Sequence, residues 1–92
     1  MRLDYFLKIS RIVKRRPLAK EMCDKQLVQV NNQPAKASKD VNTGDIITVK
    51  FRNRLLKLQV NQISEQAISK KEASTLYTVL EDIREKEGEG LW

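Results

Sequence analysis

The sequence predicts an α+β domain with two N-terminal helices, a small and mostly antiparallel sheet, and a C-terminal helix. Three observations carry that prediction. Apolar residues recur at helical intervals up to residue 26, alternate with polar residues between Val28 and Val60, and return to helical intervals from Ala73 to Ile83. A chain of 92 residues makes one small domain, burying roughly 60 to 65% of its unfolded surface, so there is little room for an enclosed catalytic cavity.

Leu3, Phe6, Leu7 and Ile12 share one side of a helix over residues 3–12. Asp4 falls in its first turn, where a carboxylate complements the helix dipole and can accept from free amides. It can also hold Arg2 or another nearby arginine in place, or touch a ligand directly. Pro17 suits the first turn of a second helix, since its missing N–H costs nothing there, and Ala19, Met22, Cys23 and Gln26 mark one side of residues 17–26. Val28 and Val30 then alternate with polar residues up to Asn31-Asn32, a pair that tolerates the left-handed backbone of a tight hairpin turn. Those asparagines are turn formers first, and on a basic face their amides can also reach a phosphate or base.

"NTGD" at residues 42–45 marks another turn, followed by strands with Ile47, Val49 and Phe51, then Leu56, Leu58 and Val60, on either side of "RNR". Ser69 and Glu72 have the spacing of a capping box. Ala73, Leu76, Tyr77, Leu80 and Ile83 follow on one face of a predicted helix over 70–86, ended by "EGEG" and read as packing on the body. With no repeat and no long linker, residues 1–60 form the body and 61–92 a helical extension packed on the same domain.

Composition excludes several function classes. No apolar run approaches the roughly 20 residues of a membrane span, and "MRLDYFLKIS" is unlike a signal peptide. A cytoplasmic protein without a membrane partner is expected. The chain has no histidine and one cysteine, Cys23, so neither a zinc set nor a histidine-based triad is available; no cofactor, no metal and no enzymatic activity are expected. Cys23 reads as a small core residue.

The net charge of +6 is unevenly spread. Residues 1–60 carry fourteen Lys and Arg against five Asp and Glu, or +9, and residues 61–92 carry four against seven, or −3. A basic body implies a polyanionic partner, because neutralising phosphates releases counterions. The arrangement sharpens this. "ISRIVKRRPLAK", from Ile9 to Lys20, holds five cations and no acid, whereas a merely solvated face intersperses both signs. Arg11, Lys14, Arg15, Arg16 and Lys20 thus gather where the two helices meet, with Lys36 and Lys39 beyond the hairpin turn.

"RLDYFLKISRIVKRRPLAKEMCDKQLVQVNNQPAKASKDVNTGDIITV" resembles the S4-like RNA-binding domain, the alpha-L motif, in which two helices and a small sheet grip structured RNA. Its signs are "RLD" opening the first helix, the arginine and alanine flanking "PL", "VQVN" and the late "GD". Where that family often carries glycine, this chain has Gln26 and Asn32. The resemblance implies an RNA surface of Arg2, Asp4, Arg11, Lys14, Arg15, Arg16 and Lys20 on the helical side, with Asn31, Asn32 and Lys36 on the hairpin side. Arginine suits the task, since its planar fork holds phosphate bidentately and stacks on bases.

The short length and the tail "KKEASTLYTVLEDIREKE" look closer still to a ribosome quality-control branch of the family, related to a fifteen-kilodalton heat-shock protein. That likeness implies binding to obstructed large ribosomal subunits carrying peptidyl-tRNA, through large-subunit rRNA helix 69 and the tRNA, and assistance to alanine tailing of the stalled chain. It also implies a nascent-chain tailing factor on the same particle, and a monomer is expected.

Overall fold

A computed structural model describes residues 1–63 and 70–84. Helices α1 (Leu3–Ile9) and α2 (Arg16–Asp24) precede β1 (Val28–Val30), β2 (Gln33–Pro34), β3 (Ile46–Phe51) and β4 (Arg54–Val60). A short helix α3 (Lys70–Ala73) runs through a 3-10 turn (Ser74–Leu76) into β5 (Tyr77–Arg84). The strands form one antiparallel sheet in the order β2-β1-β3-β4-β5. The α+β class and the alpha-L arrangement hold.

Cross-strand register explains the core. Val28 faces Val49, Val30 faces Ile47, Ile47 faces Leu58 and Val49 faces Leu56. Paired residues share a face of the sheet, and this one is covered by Leu3, Phe6, Leu7, Ala19 and Met22 of the helices, all buried. Cys23 lies in the same core, where burial, then the charges of Asp4 and Asp24, push its thiol up to about 11. The sulfur stays protonated and unreactive at neutral pH.

Two differences from the sequence reading have local causes. The first helix ends at Ile9 and not at residue 12, because Arg11 takes a left-handed φ of 62° and its N–H turns back to the Lys8 carbonyl at 3.0 Å. α2 ends similarly: Gln26 has φ 62°, its N–H reaches the Cys23 carbonyl at 2.9 Å, and the Leu27 N–H reaches Met22 at 2.9 Å. This is the paired C-terminal motif usually built on glycine. Asn32 is left-handed too, at φ 69°.

The larger correction concerns the tail. The helix predicted over 70–86 is only one turn long, and Tyr77–Arg84 is a strand that pairs with the whole of β4. Without β5, the seven residues of β4 would expose a row of unpaired N–H and C=O groups. Tyr, Thr, Val and Ile in this segment fit a pleated edge well. A bulge at Lys57/Leu58 interrupts the alternation, so Leu80 and Ile83 fall at helical spacing within a strand, while Leu76 lies in the 3-10 turn before it. Ala73 and Leu76 of that stripe are buried; Leu80 and Ile83, and Val79 beside them, are about half exposed. The predicted cap Ser69, the "EGEG" stop and Trp92 lie outside the described residues.

Candidate nucleic-acid interface

The N-terminus of α1 is built onto the loop after β2. The N–H of Leu3 donates to the Lys39 carbonyl at 2.8 Å and that of Asp4 to Ala37 at 3.1 Å, while Arg2 bridges Asp40. The α-amino group of Met1 pairs with Asp40 at 2.6 Å. These bonds satisfy helix-terminal amides that would otherwise lack partners and fix the backbone on either side of Arg2.

Asp4, only 3% exposed, is the hub. Its Oδ1 accepts from the Arg2 Nε at 3.2 Å and from the Tyr5 backbone N–H at 2.8 Å, and its Oδ2 accepts from the Arg16 Nε at 3.2 Å. Burial pushes the carboxyl up, but the hydrogen bonds and charges of Arg16 and Arg2 outweigh it and hold the pKa below 3.8. Arg16 reaches Asp4 because α2 begins there: Arg15 is extended at φ −131°, ψ 140°, and Pro17 sets the first turn. Its guanidinium lies 5.2 Å from the centroid of the Tyr5 ring, within cation–π range.

The geometry has a specific consequence. Both arginines bond Asp4 through Nε, which leaves their terminal nitrogens, the prongs of the fork, outside those two bonds, and both side chains remain about half exposed. Two forks are thereby oriented before any ligand arrives, and orientation in advance reduces the entropy lost on binding. Such a pair can hold phosphate oxygens bidentately.

Other predicted residues fall around this centre. Arg11, Lys14 and Arg15 are exposed on the loop joining α1 and α2. Lys20 and Lys36 are brought together with Arg2 along a groove of about 480 Å³ between α2 and the segment 34–38. Asn31 is occupied internally: its Oδ1 accepts from the Ile46 N–H at 3.0 Å and its Nδ2 donates to Asp45 at 3.2 Å, pinning the β1–β2 turn to β3. Asn32 stands exposed on the turn. Tyr5 was missed, and Lys39 was read only as one of the cations beyond the hairpin turn. Helical spacing places Tyr5 beside Asp4 but says nothing of a ring from α1 meeting a guanidinium from α2, and Lys39 contributes through its carbonyl as much as its charge.

Comparison with known proteins follows the same geometry. The S4 domain model matches residues 1–47. A Bacillus subtilis protein named RQC P-site tRNA stabilizing factor is 48% identical over 97% of this chain and 100% of its own length. A Streptococcus pneumoniae protein of the same name is 39% identical over 95% and 98%, and a heat shock protein 15 homolog of Haemophilus influenzae is 34% identical over 100% and 70%. The solved structure of Vibrio cholerae heat shock protein 15, a trimer, matches with a TM-score of 0.80 at 35% identity, covering 86% of this chain and 80% of that one.

Proposed function

Because the chain belongs to the S4 domain family and relatives matched along nearly its whole length at 48% and 39% identity carry the name RQC P-site tRNA stabilizing factor, we propose that it binds structured RNA on a stalled large ribosomal subunit and holds the P-site tRNA there during ribosome quality control. One observation carries the reading: two arginines held at Nε by a buried carboxylate on a face where the stretch of residues 9–20, from the end of α1 into α2, contains no acid. Structured RNA is recognised largely by shape and backbone, and preset forks suit that mode.

The finer reading is that the Arg2–Arg16 face meets large-subunit rRNA at helix 69 while a second contact meets the tRNA, and that a nascent-chain tailing factor works on the same particle. Two modest contacts joined in one domain raise the effective concentration of each, so free RNA is a poor substitute for the particle. One copy acts per particle, in the cytoplasm. The proposed role is binding without turnover, and an assay on modified or aminoacylated tRNA is expected to show none.

The test is capture of particles by the tagged chain from a cell lysate, with RNA and subunit profiling before and after release of the nascent chain. Enrichment of large subunits with tRNA, lost on removal of peptidyl-tRNA, is expected. Equal capture of small subunits, empty large subunits or bulk RNA would reject the reading and leave a general RNA-binding domain. Counting copies on the purified particle tests the single-copy assignment.

A further inference from the structure

The Asp4 arrangement has a second version at the far side of the fold. Asp82 on β5 accepts from Arg54 Nε at 2.8 Å and from its terminal nitrogen at 3.0 Å. Arg84 shares the same carboxylate, with a terminal nitrogen 3.4 Å from Oδ2. The Arg54 guanidinium sits 5.9 Å from the centroid of the Phe51 ring. One carboxylate, two arginines and one aromatic ring therefore recur. Register explains the assembly: Phe51 pairs with Arg54 and Arg54 with Arg84, so all three side chains leave the same face of the sheet. Between Phe51 and Arg54 the turn holds Arg52 and Asn53, both exposed, and Arg52 has no ion-pair partner among the described residues.

The cluster's position separates it from the Asp4 centre. Arg16 opens α2, whereas the far end of α2 leads into Leu27, whose carbonyl accepts from the Lys50 N–H at 2.8 Å. The β3–β4 turn thus lies toward the opposite end of a nine-residue helix, a run of about 13 Å. Arg52, Arg54 and Arg84 carry three positive charges against the one of Asp82, and Asp82 orients Arg54 on the sheet surface.

We propose that the β3–β4 turn, through Arg52, Arg54 and Arg84, is a second RNA-backbone site, so that this one domain grips two RNA elements at once. The proposal rests on the RNA-binding reading above and deepens it. It assigns the second contact that a factor bridging rRNA and tRNA requires, and it places that contact in the part of the chain contributed by β3, β4 and β5. The chemistry recognised is phosphate, and the two candidate sources, rRNA and tRNA, are separated by the experiment.

The test compares the full chain, so that the acidic stretch after Arg84 is present in every arm, with Arg16→Ala, Arg52→Ala and the double variant Arg52→Ala/Arg84→Ala. Probes are deacylated bulk tRNA and a transcript of an rRNA stem-loop. Affinity is measured for each against salt, along with formation of the complex holding both RNAs. The double variant is expected to flatten the log–log salt slope for one probe by about one to two, since each neutralised phosphate contributes roughly 0.7 to 0.9, and to lower the two-RNA complex at least tenfold. Arg16→Ala is expected to affect the other probe. Arg52→Ala, which removes an exposed side chain with no ion pair among the described residues, keeps the test decisive if loss of Arg84 loosens β5; it should flatten the same slope by just under one.

Unchanged slopes for both probes in the double variant, with Arg16→Ala still weakening binding, would overturn the second site and leave the RNA-binding reading standing. Absence of salt-dependent binding by the wild-type chain to either probe or to large subunits would overturn both.

Discussion

The two carboxylate–arginine clusters use the same residue types to different ends, and burial is what separates them. Asp4 is sunk at the foot of α1, takes one Nε from each of Arg2 and Arg16, and leaves the terminal nitrogens of both outside those bonds. Asp82 sits on an exposed strand and takes two nitrogens from Arg54. The first arrangement shares one buried carboxylate between two cations at Nε; the second both ties β4 to β5 through Arg54 and holds Arg54 and Arg84 side by side on a wetter surface. An ion pair in a structure is therefore not one kind of feature. What it does depends on which donor atoms it consumes and how much water remains.

The largest effect that can break this comparison is expected from Asp4→Ala. Removing a carboxylate raises the net charge, and a purely electrostatic face would bind RNA more tightly. If Asp4 acts by aiming the forks, co-sedimentation with ribosomal particles falls at least tenfold instead, and Asp4→Asn, with one acceptor oxygen, recovers part of it. Unchanged or stronger binding by Asp4→Ala would reduce Asp4 to a structural group.

Next comes Arg16→Ala. Loss of a charge-assisted contact costs about 1.5 to 3 kcal/mol, so ribosome affinity should drop roughly ten- to hundredfold while the melting temperature stays close to wild type. Arg16→Lys should rescue little, because an ammonium offers no planar fork. A variant that melts normally and sediments like wild type would remove Arg16 from the principal contacts.

Acid sharpens the contrast. Both carboxyls are held below 3.8, Asp4 by hydrogen bonds and charge from its arginines working against burial, and Asp82 by its hydrogen bond from Arg54 foremost. A depressed folded-state value means that the stabilisation is complete above 3.8 and is lost as pH falls through the lower folded-state value. The difference lies in salt. At about 1 M, where the screening length is about 3 Å, Asp82→Asn should no longer differ from wild type in acid unfolding, whereas Asp4→Asn should still unfold at higher pH. Equal salt sensitivity would show the two sites to be equally wet.

The smallest expected effect is a control for both clusters. Gln26 and Asn32 hold left-handed backbone, so Gln26→Gly or Asn32→Gly should change stability by under about 1 kcal/mol, in the stabilising direction where relief of strain exceeds the entropy glycine adds to the unfolded chain. Neither should alter the salt slope of RNA binding. A changed slope would implicate the turns themselves in RNA contact.

The sequence by itself determined whatever depends on neighbours in the chain. Periodicity placed the two helices and the core strands, Pro17 marked where α2 starts, and the acid-free run from Ile9 to Lys20 marked the basic face. The family pattern pointed to Gln26 and Asn32 as positions where glycine is usual, and both are left-handed. Tertiary structure decided the rest. Asp4 meets Arg16 across twelve residues and Tyr5 meets the same guanidinium, contacts that exist only once α1 and α2 pack. Asn31 is consumed by Ile46 and Asp45 across the sheet. The tail shows the limit best. Leu76, Leu80 and Ile83 satisfy a helical period, and with a bulge the stretch from Tyr77 onward satisfies a strand. A local pattern cannot choose between the two, because the term that chooses, the unpaired backbone edge of β4, belongs to another part of the chain and is presented only after the rest of the sheet has formed.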